Sequence, residues 1–228
     1  MEIVPGIRMV DGSVGCNTYL IIDDGVTLID TGLRGNVPKI YGSLERINHR
    51  PKDIRRIVLT HAHLDHINCL PQLKEDTGAA VLAGDREAEI ITGQRPLKVA
   101  SGLLGVIFGL FRPYYRYRPV SVDVRLKDGD RIPGAFDLEV VCLPGHSAGN
   151  LGLYSRSKRV FFCSDALRVV DGRVAPPSAR FTADMASAIA SIRRIGELDF
   201  DVLLPGHGAA VTRDAAAKVR ELHKEISK

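Results

Sequence analysis

The 228-residue sequence predicts an α/β (α+β) fold in which two sheets pack face to face and helices cover their outer sides. Two observations predict it. Short runs rich in β-branched residues recur in both halves of the chain, and amphipathic helical patterns separate them. No linker, low-complexity segment or repeat period interrupts this order, so we predict one domain over residues 1–228, with an apolar insertion near 95–118.

In the first half, turn-bounded apolar runs predict strands at 3–10, 17–22, 26–30, 54–59 and 80–83. Asn36 is a candidate N-cap, with Pro38 in the first turn of the helix that follows. A second helix runs through Leu70 and Leu73 and ends near Gly78, and a third is predicted over residues 85–92.

In the second half, the same criteria predict strands at 122–126, 138–143, 151–154, 160–163 and 202–204. Thr182 is a candidate cap for a helix over 183–198, and Thr212 is a candidate cap for the closing helix. The two halves therefore repeat one theme of strands followed by helices.

Residues 99–111 form an almost wholly apolar run that departs from this rhythm. The run is too short to cross a bilayer as a helix, which needs about 20 residues. One interpretation is a buried helix followed by a solvated basic end at 112–118. Another is an apolar lid or wall over a site that accepts an acyl chain, and peripheral membrane contact or a homodimer interface are further alternatives. Under the second interpretation, the candidate substrate-binding residues are Phe108, Phe111, Tyr114 and Tyr115.

Composition narrows the class of protein. Hydrophobic residues make up 45% and charged residues 25%, and the net charge is +4. This mild basicity is below the signature of a nucleic-acid-binding protein and is compatible with a small-molecule substrate. No signal peptide is visible at the N-terminus, which predicts a cytoplasmic protein. The four cysteines lack CxxC spacing, so we expect reduced and mostly buried thiols.

Four side chains that can bind a metal follow the predicted strand at 54–59 within six residues: His61, His63, Asp65 and His66. Two histidines spaced by two can point at one ion, while the next acid and histidine can face a second ion. Imidazole with carboxylate suits zinc, iron or manganese. Three histidines and an aspartate at this spacing indicate a metal site rather than isolated surface residues.

Three later residues also stand at the ends of predicted strands: His146, Asp165 and His207. Both histidines occupy Pro-Gly-His turns, where glycine lets the backbone approach a ligand closely. Each turn alone would be a weak signal. Together with the first cluster they supply seven ligands, enough for two ions.

These motifs resemble those of the metallo-β-lactamase superfamily, from the LIDTG strand end at Asp30 to His207. THAHLDH is similar to its HxHxDH motif, and PGHSAGN, SDAL and PGHG are similar to its later metal motifs. The resemblance implies a four-layer αβ/βα sandwich. It also implies a first metal held by His61, His63 and His146, a second held by Asp65, His66 and His207, and Asp165 between them. The implied cofactors are two divalent ions, zinc first and iron, manganese or cobalt as alternatives.

Such a site predicts hydrolysis. Two ions about 3.5–4 Å apart can share a water and bring its pKa down to about 7, and the bridging hydroxide attacks an ester-type carbonyl. Asp65 is the candidate catalytic residue that orients or accepts the proton of this nucleophile. Asp30 is either a second-shell residue that fixes a ligand imidazole or a turn-forming aspartate. Tyr114, Tyr115 and Tyr154 are candidate donors to an oxyanion.

The apolar stretch favours a lactone or a hydrophobic ester as substrate. A glyoxalase II type thioesterase is an alternative, disfavoured because only 21 residues follow His207. A phosphoester or phosphotriester hydrolase is another. β-Lactam hydrolysis is disfavoured because such members often carry a cysteine where this chain has an aspartate. Cys163 is interpreted as a core thiol.

Two alternatives belong to other classes. Mononuclear iron persulfide dioxygenases of the same superfamily use two histidines and one aspartate, here His61 or His63 with His146 and Asp165. A non-catalytic partner or lipid-binding module is the other. An intact set of costly polar ligands argues against the latter.

Overall fold

The computed structural model describes residues 1–97 and 117–227. A seven-stranded sheet follows chain order, with antiparallel pairing from β1 to β4 and parallel pairing from β4 to β7. Its strands are β1 (Glu2–Val4), β2 (Ile7–Met9), β3 (Tyr19–Asp23), β4 (Gly25–Ile29), β5 (Ile54–Leu59), β6 (Ala80–Gly84) and β7 (Val124–Leu126). Parallel strands β4 to β6 place their carboxyl ends at one edge, where open α/β sheets carry their chemistry.

A five-stranded sheet has the order β14-β11-β10-β9-β8 and is antiparallel except between β11 and β14. Its strands are β8 (Arg131–Ile132), β9 (Leu138–Cys142), β10 (Leu151–Ser155), β11 (Val160–Ser164) and β14 (Val202–Pro205). A short hairpin of β12 (Arg168–Val170) and β13 (Arg173–Ala175) stands apart from both sheets.

Six helices lie among the described residues, together with a 3-10 turn at Pro51–Asp53. They are α1 (Val37–Glu45), α2 (Leu64–Ile67), α3 (Leu70–Thr77), α4 (Asp85–Ile91), α5 (Met185–Gly196) and α6 (Ala215–Ile226). None of them has the length and apolar character needed to cross a membrane.

Three apolar layers hold these elements together. The central one joins the two sheets, with Ile29 and Val58 from one and Leu153 and Phe162 from the other. A second layer packs α1 and α3 on the outer face of the seven-stranded sheet. A third packs α5 and α6 on the outer face of the five-stranded sheet. This αβ/βα order confirms the predicted fold class.

One predicted strand is divided in the structure, and three short strands were not predicted. The run at 3–10 forms two strands rather than one, because Gly6 adopts a left-handed φ of 82° and turns the chain between β1 and β2. The hairpin β12–β13 and the two-residue β8 were not predicted, since such short strands carry little alternating pattern.

Two of the three predicted caps are wrong, and the third is right in position only. Asn36 occupies the N-cap position of α1, but its side-chain amide donates to Thr18 and Thr31 and makes no cap hydrogen bond to the helix. Asp184, not Thr182, caps α5 by accepting from the amides of residues 186 and 187. Helix α6 begins at Ala215, three residues after Thr212.

The four cysteines are free, and Cys16, Cys69 and Cys163 are buried, as predicted. Most of the predicted insertion at 95–118, including the apolar run at 99–111, lies outside the described residues. The same holds for Phe108, Phe111, Tyr114 and Tyr115. The single-domain assignment stays a prediction.

Candidate metal centre

The fold brings all seven predicted ligands together at one edge of the two sheets. Five come from the segments that follow strands: His61 and His63 after β5, His146 after β9, Asp165 after β11 and His207 after β14. The remaining two belong to the short helix α2, which begins at Leu64: Asp65 and His66. The ends of strands from different sheets thus meet at one point.

The first group is the histidine trio His61, His63 and His146, whose ligand atoms lie within 4.8 Å of one another. Nδ1 of His63 and Nε2 of His146 are 2.9 Å apart. Nδ1 of His61 lies 3.2 Å from the hydroxyls of Thr60 and Ser164, so its Nε2 is left for the other members. The three rings pack edge to face.

The second group comprises Asp65, His66 and His207, whose ligand atoms also lie within 4.8 Å of one another. Nε2 of His207 lies 3.2 Å from Oδ2 of Asp65, and Nε2 of His66 lies 3.9 Å from the same oxygen. His66 is fully buried, whereas the other two side chains are more than a third exposed.

Asp165 lies between the two groups. Its Oδ2 is 3.3 Å from Nε2 of His146 and 3.2 Å from Nε2 of His207. Its Oδ1 is 3.5 Å from Nε2 of His66. One carboxylate therefore contacts a histidine of each group.

Several buried polar atoms at this site have no hydrogen-bond partner among the described residues. They include Nε2 of His61, Nε2 of His66 and Oδ1 of Asp165. Buried polar atoms are nearly always satisfied, and leaving one unpaired costs about 1–3 kcal/mol. Three such atoms, all nitrogen or carboxylate oxygen and all within one cluster, fit the ligation of metal ions.

The two groups differ in charge as well as in burial. Burial lowers the pKa of His146 to about 4 despite the nearby Asp165. Burial also opposes protonation of His207, but hydrogen bonds to Asp165 and Asp65 outweigh it and raise the pKa of His207 to about 9. Without metal, the first group is therefore neutral and the second carries charge.

Asp30 contacts the second group through the Nδ1 side of the His66 ring. Its Oδ2 accepts from Nδ1 of His66 at 2.9 Å and from the Thr60 hydroxyl at 2.8 Å, while its Oδ1 accepts from the Thr60 amide at 2.9 Å. Because a carboxylate oxygen accepts, Nδ1 of His66 is the donor to Asp30, which leaves Nε2 as the ring nitrogen that faces Asp65 and Asp165. Asp30 also has a left-handed φ of 56°, so it both turns the chain and contacts a ligand.

Gly206 shows why glycine precedes His207. A Cβ at this position would lie 2.0 Å from Oδ1 of Asp165 and 3.0 Å from Cε1 of His66. The backbone of the β14 end therefore approaches the two ligands more closely than any other residue would permit.

Several residues that contact the ligands were not predicted. Thr60 and Ser164 flank ligands in sequence, and their position next to a motif was an available signal. The Thr182 hydroxyl lies 3.4 Å from Nδ1 of His146. Glu87 on α4 binds the loops that carry the first group, and no sequence motif marks it.

Two other predicted residues lie away from the site. The Tyr154 hydroxyl, a candidate oxyanion donor, instead donates to the backbone carbonyl of Asp199 beneath the five-stranded sheet, so that prediction is wrong. Cys163 is fully buried in the same layer, and burial raises the pKa of its thiol. It is a core residue, as interpreted from the sequence.

Comparison with known proteins identifies the family of this chain. The model of the metallo-beta-lactamase superfamily matches residues 11–207. The chain therefore belongs to this superfamily, as its motifs predicted.

The chain is similar in sequence to two bacterial proteins and in structure to a third protein. The probable metallo-hydrolase YflN of Bacillus subtilis is 26% identical over 217 residues, covering 88% of this chain and 82% of its own. The hydroxyacylglutathione hydrolase GloC of Haemophilus influenzae is 28% identical over 206 residues, covering 86% and 87%. The crystal structure of TTHA1623 in a di-iron-bound form superposes with a TM-score of 0.68 and 26% identity, covering 90% of this chain and 93% of that one.

Proposed function

We propose that this chain is a metal-dependent hydrolase that cleaves an ester-type bond and contains two metal ions. The observation that carries the proposal is the position of Asp165, with one oxygen within 3.3 Å of a histidine from each ligand group. A single carboxylate between two three-residue groups fits a site for two neighbouring ions.

The proposed ligands follow the two groups. His61, His63 and His146 would hold one ion, Asp65, His66 and His207 the other, and Asp165 would bind both. Zinc is the first expectation for imidazole and carboxylate ligands, and iron fits the same donors. TTHA1623, which is 26% identical, has been crystallised in a di-iron-bound form, and this supports both the proposal of two ions and iron as the alternative metal.

When bound, the ions would lower the pKa of a water and polarise the carbonyl of the substrate. The protein's own contribution is position and charge. Burial opposes ionisation of Asp65, but the hydrogen bond from His207 outweighs it and lowers the pKa of Asp65. Asp65 therefore stays ionised near neutral pH, and its partial exposure lets a carboxylate oxygen accept a hydrogen bond from an incoming water.

Asp30 would hold the His66 ring in the tautomer that a metal ligand needs. Thr60 and Ser164 would do the same for His61, because their hydroxyls face its Nδ1. These contacts fix imidazole rings before any ion arrives, so they would reduce the ordering cost of metal binding.

Two observations bear on the substrate class. A lactone or hydrophobic ester remains our first candidate, on the apolar character of residues 99–111. A thioester is the second, supported by the 28% identity to a hydroxyacylglutathione hydrolase. Because 87% of that relative is matched, the short segment after His207 no longer disfavours a thioester.

The test has two stages. Elemental analysis of the purified protein should find about two zinc, iron, manganese or cobalt ions per chain. The loaded protein should then hydrolyse an aliphatic lactone, a p-nitrophenyl ester or a hydroxyacylglutathione, and a chelator should abolish the reaction. A phosphotriester in the same panel tests the remaining hydrolase alternative.

Other outcomes would redirect the assignment. One iron per chain with oxygen uptake on a persulfide would replace the hydrolase by a dioxygenase. No metal after reloading would contradict the proposed function altogether.

A further inference from the structure

Glu87 is a buried acid that none of the proposed metal ligands includes. It lies on α4, which packs beside β6, and is 2% exposed. A carboxylate in such a place is costly unless each oxygen is hydrogen-bonded.

Both oxygens are bound, and their partners belong to two different loops. Oε2 accepts from the backbone amide of Ala62 at 2.7 Å. Oε1 accepts from the Ser147 hydroxyl at 2.8 Å and from the Gly149 amide at 2.8 Å. Ala62 stands between His61 and His63, and Ser147 follows His146 directly.

These two loops come from different sheets, so no continuous hydrogen-bonded ladder fixes the distance between them. The first follows β5 of the seven-stranded sheet, and the second joins β9 to β10 of the five-stranded sheet. The Leu151 amide also donates to the Thr60 carbonyl at 2.9 Å, on the strand side of the ligands. Glu87 connects the loops on the α4 side.

We propose that Glu87 is a positioning residue that clasps the two loops and so sets the geometry of His61, His63 and His146. The clasp acts on the first ligand group alone, because none of its three contacts reaches the segments that carry His66 or His207. The part of this inference that concerns metal affinity rests on the proposed function, whereas the clasp between the loops does not.

The contacts explain why glutamate is needed. A glutamine would place its amide NH₂ against a backbone N–H donor in either orientation, because both sides of the carboxylate face backbone amides. An aspartate is one methylene shorter and would not span the loops. At position 149, a Cβ would lie 2.8 Å from Oε1, so glycine provides the space for this contact.

The first test isolates each ligand group. Glu87→Gln is combined with His207→Ala, which leaves the first group complete, and separately with His146→Ala, which leaves the second group complete. Each metal-free protein is titrated with Co²⁺. We expect Glu87→Gln to weaken Co²⁺ binding about 10–100-fold in the His207→Ala background and to leave it unchanged in the His146→Ala background.

Glu89→Gln is the matched control in both backgrounds. Glu89 lies on the same helix but pairs with Arg95 at 2.7 Å, away from the two loops. We expect it to change Co²⁺ affinity in neither background. Equal losses in both backgrounds, or no loss in either, would overturn the proposal for Glu87.

The second test needs no metal. In Glu87→Gln, hydrogen exchange at the amides of Ala62 and Gly149 should become faster, while exchange at the Thr60 amide, which donates to Asp30, should not change. Unchanged exchange at Ala62 and Gly149 would overturn the clasp. If the unaltered protein binds no Co²⁺ but this exchange pattern appears, the proposed function fails and the clasp stands.

Ser147→Ala serves if Glu87→Gln does not fold. It removes only the hydroxyl donor to Oε1 and leaves both backbone amides in place. We expect a smaller loss of Co²⁺ affinity, again only in the His207→Ala background. A loss confined to the His146→Ala background would contradict the proposal.

Discussion

The two ligand groups of the site are built differently. His61 is fully buried and His146 is 4% exposed, whereas the side chains of Asp65 and His207 are 35% and 39% exposed. The first group also lacks a carboxylate of its own, while the second includes Asp65. The first group is therefore more enclosed and neutral, whereas the second is charged and more open, apart from the fully buried His66.

A different buried acidic residue contacts each half. Glu87 binds the backbone of the loops that carry the first group, and Asp30 binds the His66 ring of the second group directly. One acid therefore acts on loop position and the other on the tautomer of a ligand. Substitutions in and around the two halves would test how separate they are.

The largest effect is expected at Asp165, which both halves share. Asp165→Asn keeps the side-chain volume but removes the charge, so we expect both ions to be lost and activity to fall more than about 100-fold, beyond the usual effect of a supporting residue. Elemental analysis and thermal unfolding would show a folded protein without metal. His146→Ala should lose activity and the ion of the first group, while Asp65, His66 and His207 still bind the other ion. Full turnover by either variant would contradict the site assignment.

A smaller effect, confined to the second half, is expected from Asp30→Asn. The asparagine amide favours the other tautomer of His66, which places a proton on the Nε2 that faces Asp165. We expect about 10–100-fold weaker binding of one ion only, measured by Co²⁺ titration. Asp24→Asn, which breaks an exposed ion pair with Arg55, is the control and should change nothing. Loss of both ions would show that the halves are not independent.

Gly206→Ala tests the packing between the halves. The new Cβ would collide with Asp165, and overpacking of this kind costs about 1–3 kcal/mol of unfolding free energy. Denaturant unfolding of the metal-free protein measures it. Gly42→Ala is the matched control, because that glycine lies within α1 with no atom near the added Cβ, and it should stabilise the protein by up to about 1 kcal/mol. Equal effects of the two substitutions would refute the close approach at Gly206.

The smallest effect is expected from Cys163→Ala. The thiol lies in the apolar layer under α5 and α6, two residues before Asp165. Removing it should cost about 1 kcal/mol of stability through a small cavity and leave kcat/KM and metal content unchanged. A marked loss of activity without loss of metal would assign the thiol a role that its burial does not suggest.

The predictions from sequence succeeded where the signal is local. The runs at 54–59 and 80–83 became β5 and β6 almost residue for residue, since apolar periodicity and flanking turns directly report a buried strand. The caps at Thr182 and Thr212 failed, and Asn36 stands at the N-cap of α1 without a side-chain cap bond. Each of these side chains has several nearby groups to bind, and only the folded chain selects among them.

The sequence by itself determined the types of the candidate ligands, their order along the chain and the superfamily. These follow from residue chemistry and short spacing, which need no knowledge of distant contacts. Only the tertiary structure decided that Asp165 contacts both groups, that His207 is open while His61 is enclosed, and that Glu87 binds both loops of the first group. Those properties depend on how strand ends from two sheets meet, and residues 19 to 62 positions apart in the chain leave no local pattern that records their contact.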